Sequence, residues 1–334
     1  MTLFPCGIRG MGFHLPESEL EVAQLAREAG VPDIVAQFAG AQTVRCADPH
    51  DTPTSLALRA ASAALDRAGV DPAEVDLCIW CGAAVPDYLM PTSAGVIQDS
   101  LGCERAQAFD VAQGCSALLT GLQVAHGCMA LDSGCRTAVL AAGDTWGAFT
   151  LHHNADSVFF GDGGGALVIQ SGHSRLRPIA YHTLTRGRYR RIWMLEAGGA
   201  CHPASSETLA QGRHLYRCTD PQTAHGEFKE IYVPTLVEVA GTALRKAGIG
   251  PDDVAFFSMV NANLRVLELV CTGLGIPVER SSADYLRTFG HLGSPDVFFN
   301  LDQALGQGRL SRGDLVLLLT TGIGFFWVAA VIRC

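Results

Sequence analysis

The period of apolar and polar positions changes repeatedly along the chain, and it does so twice in the same order. The stretch Ala64-Leu65-Asp66-Arg67-Ala68-Gly69-Val70-Asp71-Pro72 recurs 179 positions later as Ala243-Leu244-Arg245-Lys246-Ala247-Gly248-Ile249-Gly250-Pro251. Each copy closes a helix-period stretch with glycine, turns through proline and acidic residues, and enters an apolar run at 75–81 or 254–260. That order predicts helix, turn and strand. At the same offset Leu140-Ala141-Ala142-Gly143 falls on Leu319-Thr320-Thr321-Gly322, two strand ends punctuated by glycine. Gly114 and Cys115 fall on Gly293 and Ser294, and the stripe Leu118, Leu119, Leu122 falls on Val297, Phe298, Leu301. The two loops are expected to be structural counterparts.

Strands alternating with helices in both segments imply buried mixed sheets covered by helices, with 163–169 and 327–332 as closing strands. The expectation is an α/β chain of two pseudo-symmetric halves, 1–172 and 173–334, packed as one rigid body. The less regular stretch 183–225 reads as an insertion or lid in the second half.

Composition agrees with a large core: 334 residues, 48% hydrophobic and 17% charged. No apolar run approaches the roughly 20 residues that cross a bilayer, and the N-terminus lacks the basic-then-apolar layout of a signal peptide. A cytoplasmic protein with no membrane contact is expected. Twelve cysteines scattered through apolar segments read as reduced core thiols. A net charge of −9 argues against a nucleic-acid partner, because neutralising phosphates needs a basic face.

One cysteine stands in a chemically distinct position. In Phe109-Asp110-Val111-Ala112-Gln113-Gly114-Cys115-Ser116 a strand or loop ends in glycine, and a helix begins at Cys115. A thiol at a helix N-terminus faces unpaired N–H groups and the positive end of the dipole, which favour the thiolate. The same N–H groups can stabilise the oxyanion formed when a thioester is attacked. On spacing alone, a small buried core residue is an equal reading of Cys115.

The motif Asp110-Val111-Ala112-Gln113-Gly114-Cys115-Ser116, with Phe160-Gly161-Asp162-Gly163-Gly164-Gly165-Ala166 and the tail from Leu305-Gly306-Gln307-Gly308-Arg309 through Gly313-Asp314-Leu315-Val316 to Gly322-Ile323-Gly324, resembles the ketoacyl synthase III group of the thiolase superfamily. The resemblance covers nearly the whole chain. It implies a thiolase fold in five α-β-α-β-α layers, a homodimer, and an acyl-enzyme at Cys115. It also implies an oxyanion hole from the N–H of Cys115 and a backbone N–H near Gly324. No metal or cofactor is implied, and the substrate would be a coenzyme A or acyl carrier protein thioester.

Two positions depart from that pattern. Where the family carries His-Gln-Ala-Asn, this chain reads Val260-Asn261-Ala262-Asn263, and valine cannot donate a hydrogen bond. Where the family carries asparagine after glycine, it reads Gly290-His291-Leu292-Gly293-Ser294-Pro295-Asp296. A cysteine with one histidine suits transfer of a preformed acyl group, the imidazole activating an incoming hydroxyl, amine or thiol. The substitutions resemble those of ketosynthase-like acyltransferases of natural-product, polyketide or antibiotic pathways. The expected function is therefore acyl transfer to a small-molecule acceptor or carrier thiol without decarboxylative condensation. The alternatives are a ketoacyl-ACP synthase III-type condensing enzyme and a non-catalytic partner subunit. Asp296 either orients His291 or caps the helix that Ser294-Pro295 begins.

Among lesser candidates, His152 or His153 could line a substrate entrance or lie in a polar loop. Cys78 and Cys81 have metal-ligand spacing but sit in an apolar strand and read as core. Asn263 is expected near the substrate, holding loop backbone. The resemblance places Met90 in a region that can form the acyl-pocket floor across the dimer interface, and ordinary interface packing is an equal reading. Arg186 and Arg190, in the densest positive stretch of the chain, are expected either to bind phosphates of the thioester donor or an acidic carrier helix, or to form a solvated face.

Overall fold

The computed structural model describes residues 4–150, 153–155 and 158–334. Two mixed sheets share one strand order. The first comprises β1 (Cys6–His14), β2 (Leu77–Trp80), β3 (Gln107–Asp110), β4 (Thr137–Asp144) and β5 (Gly163–Ser171), in the order β1-β5-β4-β2-β3. The second comprises β6 (Arg177–Thr185), β7 (Val254–Met259), β8 (Leu315–Gly322) and β9 (Phe326–Arg333), in the order β6-β9-β8-β7. Every strand of the first sheet precedes residue 172 and every strand of the second follows it. The counterpart of β3 is reduced to a single parallel bridge, Phe257 to Ser281.

Alternation along the strands builds the layers. Leu77 and Ile79 of β2 and Leu140 of β4 face a central cluster, joined by Phe256, Val316 and Leu318 from the second sheet. Between the sheets lie α3 (Ala117–Leu131), through Leu118, Leu119 and Leu122, and α6 (Asp296–Gly306), through Val297, Phe298 and Leu301. These are the two stripes the repeat aligned, and their helices start 179 residues apart. On the outer face of the first sheet, Cys78, Trp80, Val139 and Ala141 pack on α1 (Pro53–Ala68) and α2 (Ser93–Leu101). On the outer face of the second, Phe257, Met259, Leu317 and Trp327 pack on α4 (Lys229–Ala247) and α5 (Leu264–Leu274). The result is five layers, helix-sheet-helix-sheet-helix, as the α/β expectation required.

By length and composition the segment Gly114–Leu131 could cross a membrane. Its leucines 118, 119 and 122 are fully buried between the sheets, so here it is the central core helix. The irregular stretch begins later than expected, because β6 continues to Thr185. It holds the antiparallel pair Trp193–Met194 and Arg217–Cys218 and the short helix Ser206–Ala210.

Candidate active site

Cys115 lies in a single 3₁₀ turn, Gly114–Ser116, and the α-helix proper starts at Ala117. The thiol thus sits on the turn leading into α3, one step earlier than the sequence implied. Gly114 is what permits this, with φ +53° and no room for a side chain: a Cβ there would stand 2.9 Å from the Ile323 nitrogen. The tail of the second sheet closes against the same turn, and the Thr320 hydroxyl donates to the Cys115 carbonyl at 3.1 Å. Gly324, at φ +154°, has its Cβ position filled by the Phe326 ring.

His291 arrives from the turn before α6 and is 3% exposed. Its backbone is pinned to the strand-like segment at Phe160, where Gly161 N–H donates to the His291 carbonyl at 2.8 Å. Nε2 of His291 lies 3.2 Å from Cys115 Sγ, and Nδ1 lies 2.6 Å from Asp296 Oδ2. With Nδ1–H donating to the carboxylate, the Nε2 lone pair faces the thiol. Asp296 also accepts from the backbone N–H groups of Leu292 and Asn261, each at 2.7 Å. Neither donor belongs to the first turn of α6, and that helix shows no side-chain cap. The Asp296 carboxylate thus faces His291 and two loop N–H groups.

Burial alone would lower the His291 pKa, but the Asp296 carboxylate and the Cys115 sulfur outweigh it and raise it well above 6.5. The imidazole is therefore favoured in its protonated form by both partners once Nε2 takes a proton. A second buried acid lies behind it. Asp144, at the end of β4, accepts from Ala83 and Ala84 N–H groups, and a Cβ on Gly293 would fall 2.5 Å from its carboxylate. Burial raises its pKa from 3.8 to about 7. An acid whose folded pKa is raised binds its proton more tightly when folded, so its contribution to stability is lost as pH rises between those two values. The stability of the wild type relative to Asp144→Asn should accordingly fall from pH 4 to pH 7 in denaturant titrations. A pH-independent difference would remove this account of Asp144.

The sulfur and imidazole open onto a cavity of about 440 Å³ with mainly apolar walls. Val260 and Asn263 line it, with the Asn263 side chain accepting from Val266 N–H to cap α5. Arg186, Arg190 and Met90 are not among its lining residues. Arg186 exchanges backbone hydrogen bonds with Phe325, Arg190 reaches the Gly187 carbonyl, and Met90 is 98% exposed. His153 turns its Nδ1 to the Phe160 carbonyl and does not line the cavity, while His152 lies outside the described residues. Cys78 and Cys81 are fully buried, as expected of core thiols. Donor atoms of Cys46, His153 and Asp162 lie within 4.8 Å of one another, but Asp162 is already engaged by N–H groups of Ala47, Trp146 and Gly147. Sequence reasoning missed the aromatic walls and Asp144. The buried acid at the strand end, Gly143-Asp144-Thr145-Trp146, was the available signal.

Residues 109–187 match the family model for 3-oxoacyl-[acyl-carrier-protein (ACP)] synthase III, and residues 244–334 match its C-terminal counterpart. A β-ketoacyl-[acyl-carrier-protein] synthase III of Roseiflexus sp. (strain RS-1) is 34% identical over 329 residues, covering 97% of each chain. The synthase III of Roseiflexus castenholzii is 33% identical, covering 98% of this chain and 97% of its own. A crystal structure of a 3-oxoacyl-(acyl-carrier-protein) synthase III superposes with a TM-score of 0.87 at 26% identity, covering 99% of this chain and all of the other. These full-length matches to condensing enzymes overturn the expectation of a non-decarboxylative acyltransferase from a secondary-metabolite pathway and favour its condensing alternative. That expectation leaned on valine at 260 as the loss of a donor, whereas the cavity keeps a buried histidine, His291, beside the sulfur. The fold is the thiolase fold, and the chain belongs to the 3-oxoacyl-[acyl-carrier-protein] synthase III family.

Proposed function

We propose that this chain is a condensing enzyme of the β-ketoacyl synthase III type, using an acyl thioester of coenzyme A or an acyl carrier protein and a malonyl thioester. The full-length match to relatives bearing that name carries the reading, and the line Cys115–His291–Asp296 supplies its chemistry. In the first half-reaction the Cys115 proton passes to His291 Nε2, and the sulfur attacks the thioester carbonyl. The N–H groups of Cys115 and Gly324 would receive the oxyanion. The departing thiolate takes the proton back from His291, leaving the acyl group on Cys115.

In the second half-reaction the malonyl thioester loses carbon dioxide, and the released electron pair forms an enolate. His291, protonated again at Nε2 from solvent, donates to the enolate oxygen, and the Asp296 carboxylate supports the imidazolium charge. The enolate carbon attacks the acyl-enzyme, a carbon–carbon bond forms, and the Cys115 thiolate leaves. Val260 contributes only apolar wall. A cytoplasmic homodimer is part of this reading: Tyr88, Leu89 and Met90, all more than 60% exposed, form an apolar patch that a second copy would cover.

Incubation with an acyl-CoA and carboxyl-labelled malonyl-ACP tests the proposal. One carbon dioxide should be released per β-ketoacyl product. Acylation of Cys115 without carbon dioxide release would exclude condensation.

A further inference from the structure

From the walls of the cavity we infer that the acyl group carried by Cys115 is aromatic, an aryl or arylacyl thioester. The inference rests on the acyl-enzyme reading above. A space of about 440 Å³ is far larger than the three heavy atoms of an acetyl group require. Its ends differ. His225 and Lys229 are exposed and mark the mouth, which suits the polar, phosphate-bearing arm of the donor. Trp146, Phe160, Phe228 and Phe325 are each 4–5% exposed and mark the closed interior.

Those rings form two groups. Beside the sulfur, Trp146 stacks on Phe160 at 4.3 Å between centroids, and Tyr216 meets both edge-on at 6.2 and 5.9 Å. Beyond them Phe228 lies 4.6 Å from Phe325 and 5.2 Å from Tyr232. Flat, stiff side chains present ring faces and edges, and another ring gains offset-stacked or edge-to-face contacts that an alkyl chain does not. A straight chain would also surrender several rotors to occupy a space this broad. Met259, Val260 and Ala262 add further apolar wall.

Acylation of Cys115 by benzoyl-, phenylacetyl-, acetyl- and octanoyl-CoA, followed by intact mass, tests the inference. Each rate is divided by that thioester's rate with free cysteine, which removes its intrinsic electrophilicity. At least one aromatic donor should exceed both acetyl and octanoyl by about tenfold, and Phe228→Leu should reduce that ratio. If acetyl or octanoyl is as fast as the aromatic donors, the inference falls while the acyl-enzyme stands. If no thioester forms an adduct, the proposed function falls with it.

Discussion

Replacing Cys115 with alanine should lower product formation by a factor on the order of 10⁴ to 10⁶, the loss seen when a covalent nucleophile is deleted from a unit that acts as a whole. The structure explains why nothing nearby would take over. The sulfur is held on a turn whose glycine cannot be replaced, and its carbonyl is tied to Thr320. Among the described residues lining the cavity, Cys115 is the one thiol. Intact mass of the variant with an acyl thioester should show no adduct, while the wild type gains one acyl group. Persistent adduct formation in the variant would move the nucleophile elsewhere.

Asp296→Asn should cost a factor on the order of 10² to 10⁴ in the acylation step, as when a carboxylate that fixes a catalytic histidine tautomer becomes an amide. The carboxylate accepts from Nδ1–H and leaves Nε2 free to take the thiol proton. An amide nitrogen in its place would favour the opposite tautomer, with Nε2 already protonated. Losing the charge also lets burial prevail, so the His291 pKa falls. The stability test follows from the sign of that shift. A histidine whose folded pKa is raised contributes stability that is fully present below about 6.5 and is lost as pH rises through the higher folded value. The stability difference between wild type and Asp296→Asn should therefore be largest in acid and shrink as pH rises. A difference constant with pH would mean that Asp296 serves only the N–H groups of Leu292 and Asn261.

The sequence exposed the layers because they follow from period and repeat. One offset aligned the start of α3 with the start of α6, and the helix, turn and strand order recurred in both halves. Cys115 and His291, whose two loops the repeat set opposite each other, were legible through the family resemblance, the first at its nucleophile motif and the second in the place of its asparagine. The choice between capping and orienting for Asp296 was not, since it depends on which N–H groups lie within reach across the fold. Nor were the cavity walls. Trp146, Tyr216, Phe228 and Phe325 come from four separate segments, and only the tertiary arrangement brings their rings around one space. Arg186 and Arg190 looked like an anion site because positive charge is scarce, but neither is among the residues that line the cavity. The functional reading turned on Val260, and one substituted position weighed less than the relation of the whole chain.

Sulfur and imidazole belong to different sheets' territory, each launched from the head of one of the two helices that share the central layer. Their 3.2 Å separation is thus a measurement of how the two halves sit against each other. A side chain such as Leu122 or Leu301, buried in that layer and remote from any substrate, works as a spacer in a gauge. Trimming it would register in turnover through a changed sulfur–nitrogen gap as well as in stability.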